Sequence, residues 1–151
     1  MEQTVLLIGC STVSLGYAAT ESTIDFRRMQ LLIADDSSIF RDALRRTLEL
    51  VNEIEKIDEA ANGEEAIRKV AEVHPDLVIM DISMPVMDGL SAARIIKMDF
   101  PQTKILILSE HQGRYVTDAI KLLGVEGFVP KREAGDKLVP TVLSFGNQAS
   151  H

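Results

Sequence analysis

Leu77-Val78-Ile79-Met80-Asp81, continued by Ile82-Ser83-Met84-Pro85-Val86-Met87-Asp88-Gly89, is the stretch that decides the fold. Four consecutive apolar residues read as a strand buried on both faces, the pattern of a parallel sheet. The run stops on a carboxylate and passes at once into a Met-Pro turn and an Asp-Gly pair. Open α/β sheets place their ligands just outside the carboxyl ends of such strands. Asp81 is therefore either an ordinary turn aspartate or part of a site, and the segments on either side decide between the two.

Upstream, Gln30-Leu31-Leu32-Ile33-Ala34 is a second apolar run, ending in Asp35-Asp36-Ser37-Ser38. Phe40, Ala43, Leu44, Thr47, Leu48 and Val51 then fall at helical spacing, and Ser37 or Asp36 can cap the start of that helix. Ile54 to Ala61 is a weaker strand with Ile57 and Ala60 as core positions. After the Asn62-Gly63 turn, Ala66, Ile67, Val70 and Ala71 mark a second helix that His74-Pro75 stops. Downstream of Asp81, Leu90, Ala93, Ile95 and Ile96 carry a third helix closed by Phe100-Pro101, and Lys104 to Ser109 is another doubly buried strand. Tyr115, Val116, Ala119, Ile120 and Leu123 form the next helical face, with Gly124 suited to its left-handed cap. Gly127-Phe128-Val129-Pro130-Lys131 is a short last strand, whose proline suits an edge or a strand end. Leu138, Val139, Val142 and Leu143 carry a final helix, in which Pro140 predicts a late start or a kink. Strands and helices alternating in this way predict a single-domain α/β fold, a doubly wound parallel sheet with helices on both faces.

Composition agrees. A chain of 151 residues, 46% hydrophobic and 26% charged, has room for one domain with a real core. Its 16 Lys+Arg against 23 Asp+Glu give a net charge of −7, which argues against a general binder of nucleic-acid backbones. Cys10 is the only cysteine, so no internal disulfide or thiolate metal cluster forms, and a reducing, cytoplasmic setting fits. No apolar run approaches the length of a membrane span.

Residues 1–28 differ in character, with a short apolar run at Val5 to Ile8 and a loose Ser/Thr/Gly/Ala stretch after it. Leu7-Ile8-Gly9-Cys10 resembles a lipoprotein processing box, but the basic leader is missing and the apolar run is too short. A poorly ordered extension is expected there, or a start placed too early with Met29 as the working start.

The decisive pattern is what ends each strand: Asp35-Asp36, Asp81, Ser109 and Lys131. In a parallel sheet these carboxyl ends share one edge, so the polar residues should meet in one crevice. Three carboxylates at close range raise one another's pKa unless a cation joins them. Mg²⁺ is the simplest choice, a hard ion that takes carboxylate oxygens and keeps waters for a phosphate to replace. A lysine opposite adds a second positive charge, and a small hydroxyl can donate to an incoming oxyanion. Such a site lets one carboxylate attack a phosphoryl group while metal and lysine neutralise the charge on its oxygens.

These residues resemble the receiver domain of two-component response regulators. The wording DISMPVMDGLSAARIIK and LILSEH is similar to receivers of the NarL/LuxR-type subfamily, and the likeness covers about residues 29–145. It implies a flavodoxin-like sheet of strand order 2-1-3-4-5, with Asp81 as phospho-acceptor and Asp35, Asp36, Asp81 and the main-chain carbonyl of Ser83 holding Mg²⁺. Ser109 would follow the phosphoryl group, Lys131 would pair with it, and Phe128 would be an aromatic switch, although a plain core phenylalanine reads equally well. The implied partner is a sensor histidine kinase, with a homodimer through the fourth helix, fifth strand and fifth helix as a further option. The implied activity is a signal, with self-catalysed phosphoryl uptake and hydrolysis only.

Two positions depart from the family pattern. Glu110 stands where a small residue often follows the strand-four hydroxyl, and its charge, with His111 nearby, would modulate access to the pocket. Pro130 precedes Lys131 and Arg132 follows it, where many receivers have proline after the lysine, which puts the shape of that loop in question. Residues 146–151 read as a short tail with no output domain, so the expectation is a stand-alone receiver or a truncated transcription regulator, without direct nucleic-acid or membrane binding. Two rivals remain. One is a pseudo-receiver that is never phosphorylated. The other is an aspartyl-nucleophile phosphatase, which would want a second aspartate where Ser83 stands, and a cap domain.

Overall fold

The computed structural model describes residues 27–111 and 113–148. In chain order the elements are β1 (Met29–Ala34), α1 (Ser38–Leu48), β2 (Ile54–Ala60), α2 (Gly63–Val73), β3 (Leu77–Met80), α3 (Gly89–Asp99), β4 (Lys104–Ser109), α4 (Arg114–Leu123), β5 (Gly127–Pro130) and α5 (Ala134–Gln148). A 3₁₀ turn, Lys131–Glu133, joins the last strand to the last helix. The strands form one parallel sheet in the order β2-β1-β3-β4-β5, the expected 2-1-3-4-5 arrangement.

Alternation along the central strands builds the two layers. Leu31, Ile33, Leu77, Ile79, Leu106 and Leu108 face one side, where Leu44 and Leu48 of α1 and Leu138, Val142 and Phe145 of α5 cover them. Leu32, Ala34, Val78, Met80, Ile105 and Ile107 face the other, against Ala66 and Val70 of α2 and Ala92, Ala93 and Ile96 of α3. Both faces of β1, β3 and β4 are thus dry, which is why these strands carry unbroken apolar runs. Each fully buried Leu or Ile contributes on the order of 2 kcal/mol, so the centre of the sheet holds its edge of polar residues in a rigid frame.

The turns behave as their residues predict. Ser37 rather than Asp36 caps α1, its Oγ accepting from Phe40 N at 3.2 Å. Asn62 and Asp88 cap α2 and α3 through their side chains, and Gly124 closes α4 with a φ of 71°.

Some expectations need correction. Ala43, Thr47, Ala71 and Tyr115, placed on core stripes by spacing, are exposed. The buried stripes are narrower than the periodicity suggested: α1 buries only Leu44 and Leu48, and α4 only Val116. The helix with Pro140 starts at Ala134, so the late start does not occur. Pro140 and Asp136 are both exposed, so water can satisfy the Asp136 carbonyl that lacks an N–H partner. That helix runs through Gly146 to Gln148, and Gly146 lies against Met29 where a β-carbon would come within 2.8 Å of its sulfur. Residues 1–26, with Val5 to Ile8 and Cys10, and residues 149–151 lie outside the described residues. No helix among the described residues is long and apolar enough to cross a membrane.

Candidate functional site

Sheet register brings the strand-end residues together. Ala34 pairs with Met80, and the main chain continues the match one residue further, with Asp81 N donating to Ala34 O at 2.9 Å and Asp35 N to Ala60 O at 3.1 Å. Asp35 and Asp81 therefore leave adjacent strands side by side, both buried, with exposed Asp36 next to them. Carboxylate oxygens of Asp35, Asp36 and Asp81 all lie within 4.8 Å of one another. Ser109 pairs with Pro130 across β4 and β5, so Lys131 follows directly beyond that pair.

Lys131 closes the site from above. Its Nζ lies 2.6 Å from Asp35 Oδ2 and 3.5 Å from Asp81 Oδ2, with the side chain only 12% exposed. The ammonium also lies 4.3 Å from the centre of the Phe40 ring, a cation–π contact from the first turn of α1. All described peptide bonds are trans, and the 3₁₀ turn that begins at Lys131 delivers the ammonium to the carboxylates with proline before the lysine.

The electrostatics follow from burial and crowding. Burial, and then repulsion from Asp35, push the Asp81 carboxyl up from its ordinary value of 3.8 to about 6, against the pull of Lys131 and a hydrogen bond from Ile82 N. Lys131 moves upward as well: burial opposes its charge, but the contacts with Asp35 and Asp81 outweigh that. A group of acids this close, one of them reluctant to ionise, suits a small hard divalent cation in chemistry and spacing. Asp35, Asp36 and Asp81 are the side chains that fit such an ion.

A constrained loop follows Asp81. A β-carbon on Gly89 would collide with the Asp81 carbonyl, so only glycine lets α3 begin this close to the strand end. Gly89 N donates to Ile82 O at 2.7 Å and Gly63 N to Met87 O at 2.9 Å, pinning the loop at two points. Between them Val86 adopts a φ of 69°, an unfavourable value for a β-branched residue. Ser83 lies on the exposed part of this loop.

Ser109 is fully buried, and its Oγ accepts from His111 N at 3.1 Å. The side chains of Glu110 and His111 are exposed, so the Glu110 charge is open to solvent. Phe128 is half-buried against the layer that contains Ile107, its partner across the sheet.

Two residues at the site escaped the sequence reading. Phe40 was assigned to the core by spacing, and only the fold shows that its ring covers Lys131. Arg41 lies outside the apolar stripe of α1, yet its Nη1 donates to Asp35 O at 2.5 Å. The available signal was an arginine one turn after an acidic pair, with an acidic residue, Glu59, at the end of the next strand.

Comparison with known proteins places this geometry. A family model described as the response regulator receiver domain matches residues 31–143. The transcriptional regulatory protein DegU of Brevibacillus brevis is 33% identical over 120 residues, covering 79% of this chain and 50% of that protein. A protein-glutamate methylesterase/protein-glutamine glutaminase of Vibrio vulnificus is 44% identical over 110 residues, 69% of this chain and 28% of that protein. The chain thus spans about half the length, or less, of these curated relatives. Among solved structures, a LuxR-family two-component response regulator from Aurantimonas sp. SI85-9A1 superposes with a TM-score of 0.75 at 30% identity, covering 80% of this chain and 86% of that one. The response regulator domain of Thermotoga maritima CheB gives a TM-score of 0.74 at 25% identity, covering 80% and 98%.

Proposed function

The chain belongs to the response regulator receiver family, and from that premise we propose that it is a phosphorylation-operated switch in a two-component phosphorelay. The observation that carries this reading is the meeting of Asp35, Asp36, Asp81 and Lys131 at one sheet edge beside buried Ser109. The phospho-donor is the phosphohistidine of a sensor histidine kinase. A carboxylate oxygen of Asp81 attacks phosphorus, the phosphorus–nitrogen bond breaks, and the donor imidazole leaves as a neutral ring after taking up a proton. Asp35, Asp36, Asp81 and the main-chain carbonyl of Ser83 are the groups to hold Mg²⁺, which when bound neutralises charge on the phosphoryl oxygens.

The protein's own groups do the rest. Lys131 already touches both buried aspartates, so its ammonium can pair with the phosphoryl group without a large rearrangement. Ser109 gives up its contact with His111 N and donates its hydroxyl to a phosphoryl oxygen. Half-buried Phe128 follows by turning inward, which shifts the face of α4, β5 and α5 toward a state that binds a partner or a second copy. Exposed Glu110 and His111 flank the pocket mouth and tune access to it. The receiver unit comprises residues 29–145 with the last turn of α5, and its compartment is the cytoplasm, where such kinases present their phosphohistidine.

The test is intact mass after incubation with acetyl phosphate and Mg²⁺, beside Asp81→Asn. One phosphoryl adduct that needs Mg²⁺ and disappears in the variant is expected. No adduct on folded protein would leave an unphosphorylated interaction module as the better reading, and an adduct that survives in the variant would mean a different acceptor.

A further inference from the structure

Glu59 stands at the end of the edge strand β2, and two arginines of α1 grip it. Arg41 Nε donates to Glu59 Oε1 at 2.8 Å and Arg45 Nε to Oε2 at 2.6 Å. Each arginine also holds a main-chain carbonyl: Arg45 Nη2 donates to Ile57 O at 2.8 Å, and Arg41 Nη1 to Asp35 O at 2.5 Å. Side-chain exposures of 16% for Arg41 and 30% for Glu59 make this a partly shielded ion pair. Burial works against ionisation of Glu59, but the two guanidiniums outweigh it and hold the carboxyl below its usual range.

The second contact of Arg41 concerns the acidic site. The Asp35 carbonyl and the Asp36 amide belong to one rigid peptide plane, so a donor fixed on that carbonyl sets the rotation of the plane from which Asp36 starts. The Asp35 carboxylate has its own anchors in Ser37 N, at 2.9 Å, and Lys131. Asp36 is exposed and belongs to the acidic cluster. We propose that Arg41 is a positioning residue that holds the Asp35–Asp36 peptide against Glu59 and so aims Asp36 at a divalent cation. Arg41 serves Glu59 through Nε and the Asp35 carbonyl through Nη1, two donors held in a fixed planar geometry that the single nitrogen of an ammonium does not reproduce. Arg45 keeps Glu59 from turning away. This inference rests on the reading that Asp35, Asp36 and Asp81 take Mg²⁺.

Calorimetric titration of the full chain with Mg²⁺ tests it, without any phosphoryl donor. Arg41→Gln and Arg41→Lys should each weaken Mg²⁺ about tenfold, the usual scale for a group that orients a metal ligand. Glu59→Gln should cause a smaller loss. Arg46→Gln, on the same helix but with a 78% exposed side chain paired to Asp42, should cause none. A cycle with Asp36→Asn separates positioning from general support: that change should cost less Mg²⁺ affinity in the Arg41→Gln background than in the wild type. Additive losses would overturn the positioning role, as would unchanged affinity in both Arg41 variants. If Arg41→Gln does not fold, as judged by its unfolding transition, Arg41→Lys and Glu59→Gln support the same cycle. A wild-type chain that takes up no Mg²⁺ would instead overturn the metal-site reading itself.

Discussion

Lys131 lies 2.6 Å from Asp35 but 3.5 Å from Asp81, so the ammonium favours the aspartate that is not the proposed acceptor. This asymmetry leaves Asp81 the less compensated of two buried carboxylates. It also makes Lys131 the principal counter-charge of the site among the described side chains.

Replacing Lys131 with methionine should therefore destabilise the fold by about 2–3 kcal/mol in the absence of divalent ions, since two buried carboxylates lose their partner. Added Mg²⁺ should recover part of that loss by binding only the folded state. Urea unfolding of both proteins, with and without Mg²⁺, measures it. An unchanged midpoint for Lys131→Met would show that the pair contributes nothing net.

Asp81 makes the opposite prediction. Its folded pKa is raised to about 6 from 3.8, so the fold favours the protonated form. The associated stability is fully present below about pH 4 and is lost as pH rises through about 6. Metal-free protein should thus gain stability when pH falls from about 7 to about 5, before carboxylates with lowered pKa, such as Glu59 and Asp88, begin to protonate. Asp81→Asn should gain about 1–2 kcal/mol near pH 7 and lose most of this pH dependence. The measurement is the thermal midpoint against pH for both proteins in a chelating buffer, and a wild-type midpoint that falls on going from pH 7 to 5 would contradict the assignment.

The parts of the site that were legible in the sequence are those fixed by strand ends. Strand-terminal chemistry survives a boundary error of one residue, because a doubly buried run such as Leu77 to Met80 must end where its first polar residue appears. Helix faces were less legible. Periodicity marked Ala43 and Tyr115 as core, but a helix on a flat sheet buries only its central stripe, and small or amphipathic residues at the margin can face either way. Arg41 and Phe40 were hidden for another reason. Their partners, Asp35, Glu59 and Lys131, come from other elements, and local spacing carries no information about such contacts.

The loop after Asp81 stores strain at a single residue. Val86 has a φ of 69° and is 75% exposed, so its side chain gains little from packing to offset the backbone cost. Val86→Gly should stabilise the fold by about 1 kcal/mol, the left-handed penalty for a non-glycine residue less glycine's greater freedom when unfolded. Chemical unfolding measures the gain. A loss of stability would mean that Val86 makes contacts in solution that outweigh its backbone strain.

Phe40 ties the first helix to the lysine across the site, and its contribution can be isolated from ordinary packing. Lys131 Nζ lies 4.3 Å from the ring centre on a side chain only 12% exposed, so the cation–π term should be worth about 1 kcal/mol. Phe40→Leu keeps an apolar residue of similar reach but removes the ring face. In the wild-type background this change should cost the cation–π term in addition to packing, whereas beside Lys131→Met it should cost packing alone. Urea unfolding of the two single variants and the double variant gives the coupling directly. Phe40→Tyr, which preserves the π face, should stay close to wild type. Strict additivity between Phe40→Leu and Lys131→Met would reduce Phe40 to a core residue. A coupling of about 1 kcal/mol would instead show that the first turn of α1 holds the Lys131 ammonium through the Phe40 ring.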